Sequence, residues 1–336
     1  MRALVLLALV ACASTTKGVP ASYLDSTGLP DQWTGGVRLL PLHTPKGDFH
    51  VWTKRVGNNP RIKVLLLTGG PGASHEMWEA LDSYFPAAGI EYYYYDQLGT
   101  GFSDRPDDPD LWQIPRYVDE VEQVRTALHL DRDNFYVFGW SWGGILAMEY
   151  ALKYQQHIKG LIISDMMASI PAYNDYATRV LEPAMDPKVL AEIKQLEADG
   201  KYDDPRYGEL LLNNFYTQHI LRRPVAQWPW NVQHAFETIN TKMYQLMQGP
   251  SELGATGRLA QWDRFADLHA IAVPTLVIGG KYDSMDPAYL AKMAHEMPHA
   301  RLVICPNGSH MSLYDDQEIY TLSLIQFIDD VDQGRM

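Results

Sequence analysis

The sequence predicts an α/β fold: a mostly parallel, doubly wound sheet with an inserted helical cap. Three observations carry this. Short apolar runs alternate with amphipathic helical stretches along most of the chain. The runs are continuously apolar, as strands buried on both faces of a parallel sheet must be. Between residues 168 and 268 the rhythm stops, and it resumes at Val273, so this stretch is expected as one helical insertion over the sheet's carboxyl edge, where open α/β sheets bind ligands.

A chain of 336 residues can form one such unit with its insertion, and 46% hydrophobic with 21% charged residues is ordinary globular composition. The formal net charge of −13 argues against nucleic acid or an anionic membrane surface as partner. Met1-Arg2 followed by the apolar run Ala3–Ala11 reads as an export signal, too short to span a bilayer. Leu9-Val10-Ala11-Cys12 resembles the bacterial lipobox. That resemblance implies acylation of Cys12 and an exported bacterial protein tethered by lipid to the periplasmic or surface side of the envelope. A plain cleaved signal at the small residues Ala11-Cys12-Ala13 is the alternative. With Cys12 acylated, Cys305 has no partner for a disulfide, so stability has to come from a large core.

In chain order, residues 1–12 are the signal and 13–35 a polar, turn-rich tether. The core takes residues 36–167 and 269–336, and the cap 168–268. Ile62–Leu67 reads as a buried strand ending in Gly69-Gly70-Pro71-Gly72, and Ile90–Tyr95 as another ending in Asp96-Gln97-Leu98-Gly99-Thr100-Gly101. Val118 to Leu130 has helical periodicity, with Val118, Val121, Val124 and Leu128 on one face. Asn134–Phe138 is a strand that runs into Gly139-Trp140-Ser141-Trp142-Gly143. Leu161–Ser164, Thr275–Ile278 and Leu302–Ile304 complete the sheet, the last leading to a buried Cys305. Helices are expected over Pro187–Ala198 and Tyr207–Ile220 inside the cap.

Gly-x-Ser-x-Gly after a strand places a serine at the apex of a sharp strand-to-helix turn, where small neighbours are required. A serine hydroxyl is a poor nucleophile unless a base takes its proton and a third group orients that base. Both partners are expected at the carboxyl ends of later strands, acid before histidine. Asp283 follows strand 275–278 and His310 follows strand 302–304, which makes Ser141, Asp283 and His310 the candidate catalytic set. Asp165 also ends a strand and is an alternative acid. Asp286-Pro287 reads instead as a helix start. His219, His234, His295 and His299 are expected in helices as packing or surface residues, and His75 is left open. The backbone amides of Trp142 and Gly70 are the expected oxyanion donors. The phosphate-loop pattern is absent, and no His/Glu pair has metal-ligand spacing, so no metal or cofactor is implied.

Thr68-Gly69-Gly70-Pro71-Gly72, Asp96 to Asp104, Gly139 to Gly144 and the Asp283 and His310 loops together look like the proline iminopeptidase (prolyl aminopeptidase) family of α/β-hydrolases, from about residue 36 to 330. The resemblance implies a serine aminopeptidase acting on peptides with a free N-terminus. One departure is Thr68, where the family's loop usually begins with histidine. Gly249-Pro250-Ser251-Glu252-Leu253 resembles the family's segment with a glutamate for the substrate amine, which makes Glu252 the candidate and Glu209 a second. Aspartate would stand at Ser141 in epoxide hydrolases and dehalogenases. An esterase or lactonase with the same triad, and a non-catalytic surface lipoprotein, are the competing readings.

Overall fold

The computed structural model describes residues 19, 21–29, 31 and 35–336. Cys12 and the expected signal lie outside the described residues. Eight strands form the sheet: β1 (Val37–Thr44), β2 (Gly47–Val56), β3 (Lys63–Leu67), β4 (Glu91–Tyr95), β5 (Phe135–Trp140), β6 (Gly160–Ser164), β7 (Thr275–Gly280) and β8 (Ala300–Cys305). Their order is β1-β2-β4-β3-β5-β6-β7-β8. β1 and β2 pair antiparallel, as do β2 and β4, and every other neighbour pair is parallel.

The strands from β3 to β8 occupy the six apolar runs of the sequence. Their alternate residues enter opposite cores. Val64, Leu66, Tyr136, Phe138 and Ile162 pack into one apolar cluster, while Leu65, Leu67, Val137, Leu161 and Ile163 pack into the other. Fully burying each such side chain is worth about 1.5–3 kcal/mol, and this layering holds the strand ends in place. The apolar runs of the sequence do not mark the β1–β2 hairpin. Within β1 only Leu40 and Leu42 are buried, so the edge strand carries too weak an alternation to stand out.

Helix α1 (Ile114–Ala127) buries Val118, Val121 and Val124 as expected but starts before Val118, because Pro115 fits the first helical turn. Helix α2 (Trp142–Tyr154) is apolar nearly all round and packs inside the molecule. The lead-in differs from a free tether. Ala21–Leu24 form a short 3₁₀ turn that buries Tyr23, whose hydroxyl donates to the Ile90 carbonyl at 2.7 Å. No helix among the described residues is long and apolar enough to cross a membrane.

Between β6 and β7 the chain is helical, including Ile170–Tyr176, Pro187–Ala198, Pro205–Leu211, Trp230–Thr238 and Thr241–Met247. This region has its own apolar cluster around Leu181, Ile193, Tyr207, Leu210 and Phe215. It leaves and rejoins the core at one neck. The Ile170 amide donates to the Trp262 carbonyl at 2.8 Å, the Arg264 amide to the Ala168 carbonyl at 2.7 Å, and Ser169 Oγ to Asp263 Oδ2 at 2.7 Å.

Candidate active site

Ser141 stands between β5 and α2 at φ 54°, ψ −123°. A non-glycine residue held there costs on the order of 1–3 kcal/mol, and the surrounding contacts must over-determine it. Its amide donates to the Ser164 carbonyl of β6 at 3.0 Å. The flanking glycines are required by close approach: a Cβ on Gly139 would lie 2.0 Å from the Gly143 carbonyl oxygen, and one on Gly143 would lie 1.9 Å from that of Leu67.

The loops after β7 and β8 bring two buried side chains to this serine. His310 Nε2 lies 2.9 Å from Ser141 Oγ, and His310 Nδ1 lies 2.8 Å from Asp283 Oδ1. The geometry assigns the proton on Nδ1 to Asp283 and leaves Nε2 to accept from the serine. The Met285 amide also donates to Asp283 Oδ1, at 3.0 Å. Burial opposes a charged His310, yet the Asp283 carboxylate, by charge and hydrogen bond, and the Glu252 carboxylate outweigh it and hold the imidazole above its usual value. Trp140 Nε1 donates to the His310 carbonyl at 2.8 Å, which ties the histidine loop to the strand carrying the serine.

The Gly-rich loop after β3 lies against the same serine. Gly70, at φ 105°, lines the cavity beside Ser141, and a Cβ there would meet the Gly72 amide nitrogen at 2.7 Å. Trp142 is the first residue of α2, where helical amides have no acceptor of their own. Thr68, at the position the family usually fills with histidine, is buried, and its Oγ1 donates to the Ala73 carbonyl at 3.3 Å. Gln97 links the loop to the serine turn: its Nε2 donates to the Thr68 carbonyl at 3.3 Å, and its Oε1 accepts from Trp142 Nε1 at 2.9 Å. His75, left open by the sequence, is a strut of this loop. Its amide and Nδ1 meet the buried Asp96 at 2.7 and 3.0 Å.

Core and cap enclose a cavity of about 180 Å³ over Ser141 and His310. Ala73, Met77, Trp140, Tyr216, Ile220, Phe236, Ile239 and Tyr244 make its wall largely apolar, and Glu252 reaches it from the cap. Three tyrosines from different cap segments seat Glu252. Tyr244 donates to its carboxylate at 2.5 Å, Tyr173 donates to its carbonyl, and its amide donates to the Tyr216 hydroxyl at 3.3 Å. Burial raises the Glu252 carboxyl, against the lowering effect of His310 and the Tyr244 hydrogen bond. No sequence motif announced these tyrosines; the general richness of the cap in tyrosine was the only signal.

Glu209 is a correction. It is exposed, lies away from the cavity and pairs with Arg206 at 3.1 Å, because its helix turns that face to solvent. Asp286 caps the helix Pro287–Glu296 by accepting from the Ala288 amide at 2.9 Å. His219 accepts the His310 amide through its carbonyl, His234 faces Glu76, and His295 and His299 are exposed, the latter in a turn. Cys305 is buried. Among the described residues no group of three His, Cys, Asp or Glu side chains could hold a metal ion.

A family model described as the alpha/beta hydrolase fold matches residues 63–317. The chain is 52% identical over 298 residues to the proline iminopeptidase of Flavobacterium johnsoniae, covering 89% of this chain and 100% of that protein. It is 53% identical over 296 residues to that of Elizabethkingia meningoseptica, covering 88% and 98%. Among solved structures, the proline iminopeptidase of Mycobacterium smegmatis matches with a TM-score of 0.78 at 27% identity, over 89% of this chain and 100% of that one.

Proposed function

The chain belongs to the proline iminopeptidase family of α/β-hydrolases, and on that premise we propose that it is a serine aminopeptidase that releases an N-terminal residue, preferably proline, from peptides through an acyl-enzyme. One observation carries the reading: the Glu252 carboxylate shares a small, largely apolar cavity with Ser141 and His310. A carboxylate in such a place selects a protonated terminal amine, because charge-assisted hydrogen bonds are strongest where water is excluded. The arriving ammonium also favours the ionised form of a glutamate that burial has pushed upward. Flat rings from Trp140, Tyr216, Phe236 and Tyr244 suit a proline side chain.

In this mechanism His310 Nε2 takes the Ser141 proton as Oγ attacks the carbonyl of the first residue. The developing oxyanion is held by the amides of Trp142 and Gly70, each worth about 2.7–4 kcal/mol. His310, oriented by Asp283, then protonates the departing amine. Water hydrolyses the ester by the same steps in reverse roles.

Kinetics on aminoacyl-naphthylamides and p-nitrophenyl esters test the reading. Ser141→Ala should lower kcat on both by about a thousandfold or more, and unchanged activity would remove the mechanism. Glu252→Gln should raise KM for free-amine substrates roughly tenfold, the value of one hydrogen bond to a charge, with far less effect on esters. Equal losses on both would take the amine role from Glu252 and favour an esterase. Covalent labelling of Ser141 by a fluorophosphonate distinguishes either enzyme from a non-catalytic surface protein. The lipobox-like sequence ending in Cys12 supports a lipid anchor on the envelope, and a mature chain that starts at Ala13 without lipid, read by intact mass, would overturn it.

A further inference from the structure

Asp283 Oδ2 is a buried oxygen that receives no hydrogen bond from the donors around it among the described residues. Oδ1 takes both His310 Nδ1 and the Met285 amide. The end of β6 supplies a second buried carboxyl within hydrogen-bond reach, Asp165, which has no exposed surface and sits at φ 50°. The two groups converge under Gly279: a Cβ there would lie 3.6 Å from Asp165 Oδ1 and 3.7 Å from Asp283 Oδ2.

Two buried carboxyls within hydrogen-bond reach of each other do not both ionise unless a positive group stands between them. The titratable groups acting on Asp165 are Asp283 from the loop after β7, Tyr320 from the helix Gln317–Asp332 and Cys305 from β8, none of them basic. Its hydrogen-bond partners decide which carboxyl keeps the proton. Ser164 Oγ donates to Asp165 Oδ2 at 2.5 Å and lies 2.6 Å from the Tyr320 hydroxyl. The single hydrogen of Ser312 Oγ has a nearer acceptor in the Ser309 carbonyl, at 2.6 Å against 3.2 Å to Asp165 Oδ1. Oδ1 of Asp165 is therefore the oxygen short of a donor, while Asp283 has an imidazole N–H and an amide to support its charge.

We infer that Asp165 is a positioning residue that remains a neutral carboxylic acid and donates its proton in a hydrogen bond to Asp283 Oδ2. The inference rests on the Ser141–His310–Asp283 reading. It completes one chain of donors: Tyr320 to Ser164, Ser164 to Asp165, Asp165 to Asp283, His310 to Asp283 and Ser141 to His310. The bond fixes the plane of the Asp283 carboxylate and so the direction in which Oδ1 meets the imidazole. Burial first, then the Asp283 charge, hold the Asp165 carboxyl well above its ordinary value of 3.8.

The test compares Asp165→Asn with Asp165→Ala. The asparagine amide can still donate to Oδ2, so kcat should stay within about threefold of wild type and the acid limb of kcat/KM should not move. Alanine leaves Oδ2 bare; kcat should fall roughly tenfold, KM should hold, and the acid limb should rise as Asp283 pulls harder on His310. A downward shift of that limb in Asp165→Asn would mean that Asp165 was an anion, and equal losses in both variants would reduce it to packing; either overturns the inference.

Equilibrium unfolding gives a readout that does not depend on the catalytic reading. A buried acid with a raised value stabilises the fold below about pH 3.8 and loses that contribution as pH rises. The stability of Asp165→Asn relative to wild type should therefore grow with pH, and a flat difference would overturn the inference. Should the variants not fold, the infrared spectrum serves. A protonated-carboxyl stretch must persist when Glu252→Gln is combined with Asp315→Asn, which removes the other two acids that burial raises most, and its absence would equally overturn the inference.

Discussion

His310 is flanked by two carboxylates with different work. Asp283 fixes its tautomer from behind, and Glu252 acts on it across the cavity. Because the imidazole is held above 6.5, the acid limb of kcat/KM should lie above that value, and activity should fall as protonation removes the acceptor for the Ser141 proton. Glu252→Gln removes one of the charges raising it, so the limb should move down in a pH–rate profile on an ester substrate. The sign for stability is opposite in sense: the Asp283 pairing contributes fully below pH 6.5 and is lost as pH rises through the folded value. Ser141, Asp283 and His310 were legible because each lies at the end of an apolar run or in the short loop that leaves it, so sequence position already fixes the sheet edge they share. Tyr173, Tyr216 and Tyr244 were not, since three remote cap segments converge on Glu252 without a local pattern. Tyr244→Phe should raise the Glu252 carboxyl further and increase KM for free-amine substrates roughly tenfold, near the value of about 1.5 kcal/mol for one such bond.

The turn from β5 into α2 works because its glycines let three backbones meet. With a Gly143 Cβ placed 1.9 Å from the Leu67 carbonyl oxygen, Gly143→Ala must push β3 and the serine turn apart. We expect a loss of at least about 2 kcal/mol in denaturant unfolding, together with loss of fluorophosphonate labelling at Ser141. The central strands could be read from sequence because both of their faces are buried, which makes them uniformly apolar. The β1–β2 hairpin is not marked in the sequence, for the opposite reason. Its edge position leaves one face half-solvated, and its pairing with β4 is decided by backbone register across distant sequence. The offset in α1 has a local cause, since proline sets where a helix begins but apolar periodicity does not.

Across the whole molecule, the cap does more than roof the cavity. Its segment at His219 and Ile220 accepts the amides of His310 and Met311 at 2.9 and 2.8 Å, and Ser309 Oγ lies within hydrogen-bond reach of both the Ile220 carbonyl, at 2.8 Å, and the Asp315 carboxylate. Cap position is thereby tied to the histidine loop. Ser309→Ala should lower kcat about three- to tenfold with a smaller change in KM and cost about 1 kcal/mol of stability, measured by steady-state kinetics and thermal unfolding. The sequence by itself determined the parallel core, the strand ends that carry Ser141, Asp283 and His310, and the helical character of the insertion. These follow from local rules: burial makes a strand apolar, and a strained turn demands glycine. Only the tertiary structure decided that Glu252 faces the cavity while Glu209 faces solvent, that Gln97 braces both loops around Thr68, and that Asp165 stands behind Asp283. Each of those depends on the meeting of segments far apart in the chain, and electrostatics between buried groups is set by distance in space, which no spacing in sequence records.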